Sequence, residues 1–276
     1  EFLGKLFLLE LFKRLQANQL DVKEAIFAVP VQSYERYLRW LESCGAADLL
    51  KHVPGSRLRT IDEPTAAALG YAIAQPGLVI LVIDFGGGTL DLSLVRTPSH
   101  EIANWGSYVG EDSQNIDTDA GTTQVEVIAK TGQTLGGIDI DRWLLEDYLA
   151  SQQSIDPEPA AINFLLSLME RLKVTLSNAE SASEVWFNTE TLEAHEISYS
   201  QAQLESILRS RGFYRVLQTA IDDAIHFAAG KGILKMDVKH VALIGGSTQI
   251  PSVQNLIAQY FPSATIYSNK PFEAVA

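Results

Sequence analysis

One cysteine, Cys44, stands in the whole 276-residue chain, so no internal disulfide can form and no CxxC pair exists for zinc or thiol exchange. The chain belongs to a reducing compartment or has no use for disulfides. Metal-ligand spacing is missing as well. The five histidines (His52, His100, His195, His226, His240) are scattered, which reads as surface or internally satisfied residues. Basic charge is scarce: 21 Lys+Arg face 34 Asp+Glu, a net charge of −13. Nucleic acids and anionic membranes both call for a basic surface, so neither is expected as a partner. No apolar run approaches the ~18 residues of a membrane span. The stretch Phe2 to Leu15 is interrupted by Lys5, Glu10, Lys13 and Arg14 and no small-residue cleavage site follows, so it reads as an amphipathic helix and not as a signal peptide. There is no repeat and no low-complexity tract. Disorder is excluded too, since 46% hydrophobic and 20% charged residues describe an ordinary soluble globular chain. The first residue is Glu1, not methionine, which reads as a piece of a longer protein.

What is present is an alternation of strands and helices, hence an α/β class. Ala25 to Val29, stopped by Pro30, reads as a buried strand, and Ser33 to Cys44 as a helix ending at Gly45. A basic, turn-rich piece, Lys51 to Arg59, leads to Ile61-Asp62-Glu63-Pro64 and a helix over Thr65 to Ala74, ended by Gln75-Pro76-Gly77. A lobe boundary is placed there. Leu78 to Ile83 is continuously apolar, as a strand buried on both faces is. After Asp84-Phe85-Gly86-Gly87-Gly88-Thr89 the chain alternates, with Leu90, Leu92 and Leu94 on one side and Asp91 and Ser93 on the other, so the glycines form a hairpin tip. Pro98 to Gly121 reads as a long polar loop and Gln124 to Ala129 as a strand. Helices are expected over Asp139 to Ala150, Ala160 to Ser177 and Gln201 to Ala229, the last broken near Gly212, with short strands at Glu184 to Asn188 and Glu193 to Ile197. Val241 to Ile244 is a strand that runs into Gly245-Gly246-Ser247-Thr248, and a helix starts near Pro251.

Four motifs carry chemistry. In Asp84-Phe-Gly-Gly-Gly-Thr89 the glycines let backbone N–H groups approach phosphate oxygens, each such bond contributing about 1.5–3 kcal/mol, and Thr89 adds a hydroxyl. A strand follows, whereas dinucleotide and Walker loops need a helix there. Asp84 would repel phosphate unless a hard cation such as magnesium sat between them. A plain hairpin turn needs only two residues, so three glycines between Asp and Thr exceed that need. Gly245-Gly246-Ser-Thr, between strand and helix, suits an anion or a planar ring, and equally a helix entry. Glu170, Lys173 and Ser177 share a helix face that could line a groove and bond a ribose, or simply be a solvated face. Glu63, just before Pro64, is either a cap or a holder of metal-bound water.

Together these segments resemble the nucleotide-binding domain of the heat-shock protein 70 (DnaK-like) chaperones, within the actin-like ATPase, ribonuclease H-like fold. The resemblance rests on Ala28-Val-Pro30, Asp62 to Ala68, Asp84 to Asp91, Leu135-Gly-Gly137, Glu170-x-x-Lys-x-x-x-Ser177, Leu243 to Pro251 and Glu273 to Ala276, in matching order over nearly the whole chain. It implies two lobes with the first incomplete. Residues 1–76 would be part of lobe I, 77–122 and 209–268 the base of lobe II, 123–208 its upper subdomain, and 269–276 a return segment. It also implies ATP or ADP with Mg2+, and K+ as a further candidate. Gly86, Gly87, Gly88 and Thr89 would hold phosphates. Asp84, Asp91 and Glu63 would serve the metal, and Glu63, Asp84 and Thr89 catalysis. Gly137, Glu170, Lys173, Val174 and Ser177 would bind adenosine, with Gly245, Gly246, Ser247 and Gln249 on its other side. The implied activity is ATP hydrolysis in a cleft that drives a conformational switch, exerted in the full-length protein and not by this fragment. Implied partners are a J-domain co-chaperone, a nucleotide exchange factor and, through a domain outside this chain, unfolded polypeptide; the implied location is cytoplasmic.

The chain departs from that pattern. No Asp-x-Gly-Thr-Thr loop precedes Glu63, and the lysine expected with it has no counterpart. Gln249 stands where the family places Arg beside the adenine, and Phe272 where it places Asp. Segments Val31 to Asp62 and Thr97 to Gly121 are longer than the family norm. Two alternatives stay open: a non-catalytic adenosine-nucleotide binding module, and another actin-like protein such as a sugar kinase or filament ATPase. The −13 charge does not forbid a nucleotide, because glycine amides, Lys173 and a divalent cation can supply positive field locally, and it implies a strict magnesium requirement.

Overall fold

The computed structural model describes residues 2–20, 22, 24–29, 34–43, 51–52, 57–63, 66–67, 71, 76–97, 107–109, 126–152, 157–189 and 191–269. The chain divides into two compact units. One is built from the described parts of 1–78 and 96–126, the other from those of 79–95 and 127–272.

In the first unit, helix α1 (Phe2–Ala17) packs Leu8 and Phe12 against Leu41 of α2 (Tyr34–Ser43). Strand β1 (Glu24–Val29) pairs in parallel with β2 (Arg57–Asp62), which pairs antiparallel with β5 (Ser107–Val109). Three sequence expectations are corrected here. The Lys51 to Arg59 piece is not all turn, because its last three residues begin β2. The Pro98 to Gly121 stretch contains β5. And β1 is not a buried strand: at the edge of the β1-β2-β5 sheet it leaves Ile26 53% exposed while Val29 is buried. The helix expected over Thr65 to Ala74 lies largely outside the described residues; within it Ala66 and Ala67 are helical and buried. Pro30 and 270–276 also lie outside the described residues.

The second unit is organised by β3 (Val79–Phe85), whose apolar run is buried on both faces as expected. It occupies the middle of a five-stranded sheet ordered β10-β9-β3-β4-β6, with β4 at Leu90–Arg96, β6 at Glu126–Gln133, β9 at Val238–Ile244 and β10 at Thr265–Tyr267. β9 runs parallel to β3 and to β10. Four residues join β3 to β4, too few for a parallel crossover, so the two form a hairpin. β6 ends four residues beyond the expected Gln124 to Ala129 strand, whose first two residues lie outside the described residues, and β10 was not anticipated. Odd-numbered residues of β3 (Leu81, Ile83, Phe85) enter a core shared with α3 (Gly137–Ser151), α4 (Pro159–Leu176), α6 (Phe213–Ala229) and α7 (Pro251–Tyr260). Phe213 stacks on Phe85 with ring centroids 5.5 Å apart, which anchors the strand end just before the glycines. A hairpin of β7 (Ser181–Asn188) and β8 (Glu193–Ser200) leads into α5 (Gln201–Ser210), whose N-terminus is capped by Ser200. The expected break near Gly212 is real: Gly212 takes φ +72° between α5 and α6, a conformation glycine adopts without a Cβ clash. Gly246–Gln249 form a short 3-10 turn, so the strand does not run straight into α7.

Candidate functional site

The second unit brings the Asp84–Thr89, Leu135–Gly137, Glu170–Ser177 and Gly245–Thr248 motifs together at the carboxyl ends of β3 and β9, where open α/β sheets place ligands. Gly86 and Thr89 close the β3–β4 turn, Gly86 N–H donating to Thr89 O at 3.1 Å. Gly87, Gly88 and Thr89 are exposed at its tip. The turn's carbonyls point at the start of α3: Gly137 N–H donates to Gly86 O at 3.0 Å and Ile138 N–H to Gly87 O at 2.8 Å. Ser247 Oγ also donates to Gly86 O, at 3.0 Å. Among the described residues nothing accepts from the N–H groups of Gly87 or Gly88.

Glycine is required at two positions around this turn. A Cβ on Gly136 would lie 2.2 Å from Gly87 O. One on Gly245, which has φ +82°, would lie 2.3 Å from Phe85 O. Both are backbone atoms that cannot swing aside, so backbones meet here with no room for a side chain. The Leu-Gly-Gly and Gly-Gly-Ser-Thr motifs are therefore packing surfaces for the Asp-Phe-Gly-Gly-Gly-Thr turn.

A cavity of about 430 Å³ opens beside the turn, a volume typical of small-ligand sites. It is lined by Gly86, Gly87, Gly137, Glu170, Lys173, Val174, Ser177, Gly246, Ser247 and Gln249, all named from the sequence, and by Asn178 and Ile250, which were not. Gly88 and Thr89 stay at the turn's tip, and Gly245 lies at the end of β9. A larger cavity, about 870 Å³, lies among α5, α6 and α7 and is lined by none of the candidate site residues, so size alone does not select the site.

Glu170 and Val174 are exposed on α4, and Lys173 and Ser177 half-buried. Ser177 Oγ donates to Lys173 O at 3.2 Å. Lys173 Nζ donates to Gly137 O and to Asp141 Oδ2, both at 2.9 Å. Asp141 is the partner the sequence did not reveal. Its burial raises its pKa, while the bond and charge of Lys173 pull it down. Gln249 is anchored by Nε2 to Thr248 Oγ1 and Ser268 O, at 3.2 and 3.3 Å.

Asp84 and Asp91 flank the turn on β3 and β4, both half-buried. Burial first, then the Asp91 charge, raises the Asp84 pKa, against an opposing pull from Lys130. Two mutually repelling carboxylates next to free amides fit Mg2+, which is held by one or two carboxylates together with phosphate oxygens and water. Among the described residues no three His, Cys, Asp or Glu side chains cluster into a metal site. Glu63 belongs to the first unit, is helical directly after β2, and is half-buried.

The family model described as Hsp70 protein matches residues 51–101 and 115–276. The chaperone protein DnaK of Stenotrophomonas maltophilia (strain R551-3) is 34% identical over 235 residues, covering 79% of this chain and 32% of that protein. The chain thus spans about a third of the length of that relative.

Proposed function

The chain belongs to the Hsp70 family, and on that footing we propose that it is the nucleotide-binding part of a molecular chaperone, taking ATP and ADP with magnesium. The observation that carries the reading is the convergence of four sequence motifs on one cavity beside a turn whose outward N–H groups have no partner. Such a turn is an anion cradle. The amides of Gly87 and Gly88 and the Thr89 hydroxyl grip phosphate oxygens. Glu170 and Ser177 offer acceptors to ribose hydroxyls, and Val174 and Gln249 border the base. Asp84 and Asp91 would hold magnesium, which when bound would supply positive charge against the phosphates. Glu63 takes, by family resemblance, the role of orienting the attacking water.

In the full-length protein the reaction is hydrolysis of the γ-phosphate, achieved by positioning and electrostatic stabilisation. It drives a conformational switch that controls a polypeptide-binding domain, with a J-domain co-chaperone and a nucleotide exchange factor as regulators, in the cytoplasm. No helix among the described residues is long and apolar enough to cross a membrane.

The test is ATP turnover by the full-length protein with Thr89→Val, which removes one hydroxyl and keeps the shape. Loss of one hydrogen bond to a charged group, about 1.5–3 kcal/mol, lowers turnover by roughly 10- to 100-fold. Unchanged turnover would remove the turn from the site.

A further inference from the structure

The cavity of about 870 Å³ among α5, α6 and α7 shares no lining residue with the one beside the glycine turn. Its charge runs against that of the chain. Carboxylates outnumber basic side chains 34 to 21, so a cation in this protein has partners to choose from. The second unit has five arginines, and three of them take such a partner: Arg142 pairs with Asp139, Arg171 with Glu184 and Arg211 with Glu146. Arg209 and Arg215 have no carboxylate partner among the described residues, and both line this cavity.

Neutral groups hold the two guanidiniums instead. Arg209 lies over the Tyr214 ring, 5.7 Å from its centroid. Arg215 folds back over Gly212. A Cβ on Gly212 would lie 3.2 Å from Arg215 Nη2 and 3.9 Å from its Cζ, so the guanidinium fills the space that glycine leaves open. The one carboxylate in the lining, Glu205, is occupied, because its Oε2 accepts the Tyr214 hydroxyl proton at 2.7 Å. Tyrosine has a single proton to give, so Ser252 Oγ, 2.8 Å from the same hydroxyl, donates to it. Those two bonds tie α5, α6 and α7 together and leave the arginine N–H groups without acceptors. Gln218, Asn255 and Gln259 add three carboxamides, none with a side-chain bond among the described residues.

A guanidinium is a planar fork of N–H donors that matches the oxygens of a phosphate. A carboxamide both donates and accepts, as a hydroxyl does. The volume suits a whole small ligand and exceeds what a lone anion needs. We infer that this cavity binds a small phosphorylated molecule rich in hydroxyl groups, its phosphate on Arg209 and Arg215 and its hydroxyls on the three carboxamides. The site is separate from the nucleotide site and stands independently of that reading.

Titration calorimetry of the full-length protein with glucose 6-phosphate and with inorganic phosphate, magnesium chelated throughout, tests the assignment. Both probes are expected to saturate, glucose 6-phosphate roughly tenfold more tightly because the carboxamides reach its hydroxyls. Arg209→Gln and Arg215→Gln should each weaken both probes about tenfold, the effect of losing charge-assisted bonds. Both side chains are exposed, so the ligand-free melting temperature should not change. Asn255→Ala should weaken glucose 6-phosphate and leave inorganic phosphate as it was. Failure of both probes to bind would overturn the assignment. So would equal affinity for the two, which leaves a plain anion contact, or affinities that neither arginine substitution moves, which puts the phosphate elsewhere on the protein.

Discussion

Asp84→Asn is expected to make the ligand-free protein more stable and the full-length protein less active. Burial, and after it the Asp91 carboxylate, raises the Asp84 pKa above 3.8. A carboxyl whose folded pKa exceeds its unfolded value binds its proton more tightly in the folded state. Stability therefore falls as pH rises from 3.8 through the folded value, and the loss is complete above that value. Asparagine carries no charge, so the variant's gain grows over that interval and vanishes as pH drops below 3.8. A gain of 1 kcal/mol raises the melting temperature by about 2–4 °C in a protein of this size. Turnover moves the opposite way. Asp84 is one of the two carboxylates proposed to hold magnesium, and losing the charge stabilisation that the cation would supply costs on the order of 10²-fold in rate. Magnesium nucleotide should accordingly stabilise the wild type much more than the variant. A variant with unchanged turnover, or one less stable at pH 7, would show that Asp84 is an ordinary structural carboxylate.

Gly136→Ala is expected to abolish nucleotide binding while a comparable change at the neighbouring turn does not disturb the fold. The added Cβ would sit 2.2 Å from Gly87 O and 2.4 Å from Gly88 N, and the turn must move by about 1 Å to relieve it. A displacement of that size at groups that grip a ligand costs roughly 10²-fold. Backbone strain is not the cause, since Gly136 is extended with φ −151°, a conformation alanine adopts freely. Gly88→Ala is the comparison, because its Cβ meets nothing within 4 Å. It should leave the melting temperature unchanged and interfere with ligand alone, whereas Gly136→Ala lowers both stability and affinity. Equal melting temperatures for the two variants would contradict the packing described around the turn.

The parts of this site that were legible in the sequence are those whose chemistry forces an unusual residue. Six apolar residues before Asp84 could only be a strand covered on both faces, and β3 is one. Three glycines followed by alternation excluded a helix, and a hairpin stands there. Asp141 was not legible, because Asp139 and Asp141 look alike on paper. Asp139 bonds the N–H of Gly136 at the start of α3, while Asp141 turns inward to Lys173; only the packing of α3 on α4 separates them. Strand β2 was hidden for a different reason. Arg57-Leu-Arg-Thr-Ile-Asp62 follows Pro54-Gly55 and carries two arginines, so its composition resembles a loop. Pairing with β1 and β5, not propensity, makes it a strand. The bond from Ser247 to Gly86 O was not legible either, since it crosses 161 residues of sequence.

Titration calorimetry of ADP into the protein, with magnesium and then with magnesium chelated, tests whether this acidic chain carries a magnesium-dependent nucleotide site. Saturable one-to-one heat is expected with the metal and a loss of affinity without it. No heat with ADP and magnesium, or binding of equal strength after chelation, would contradict it.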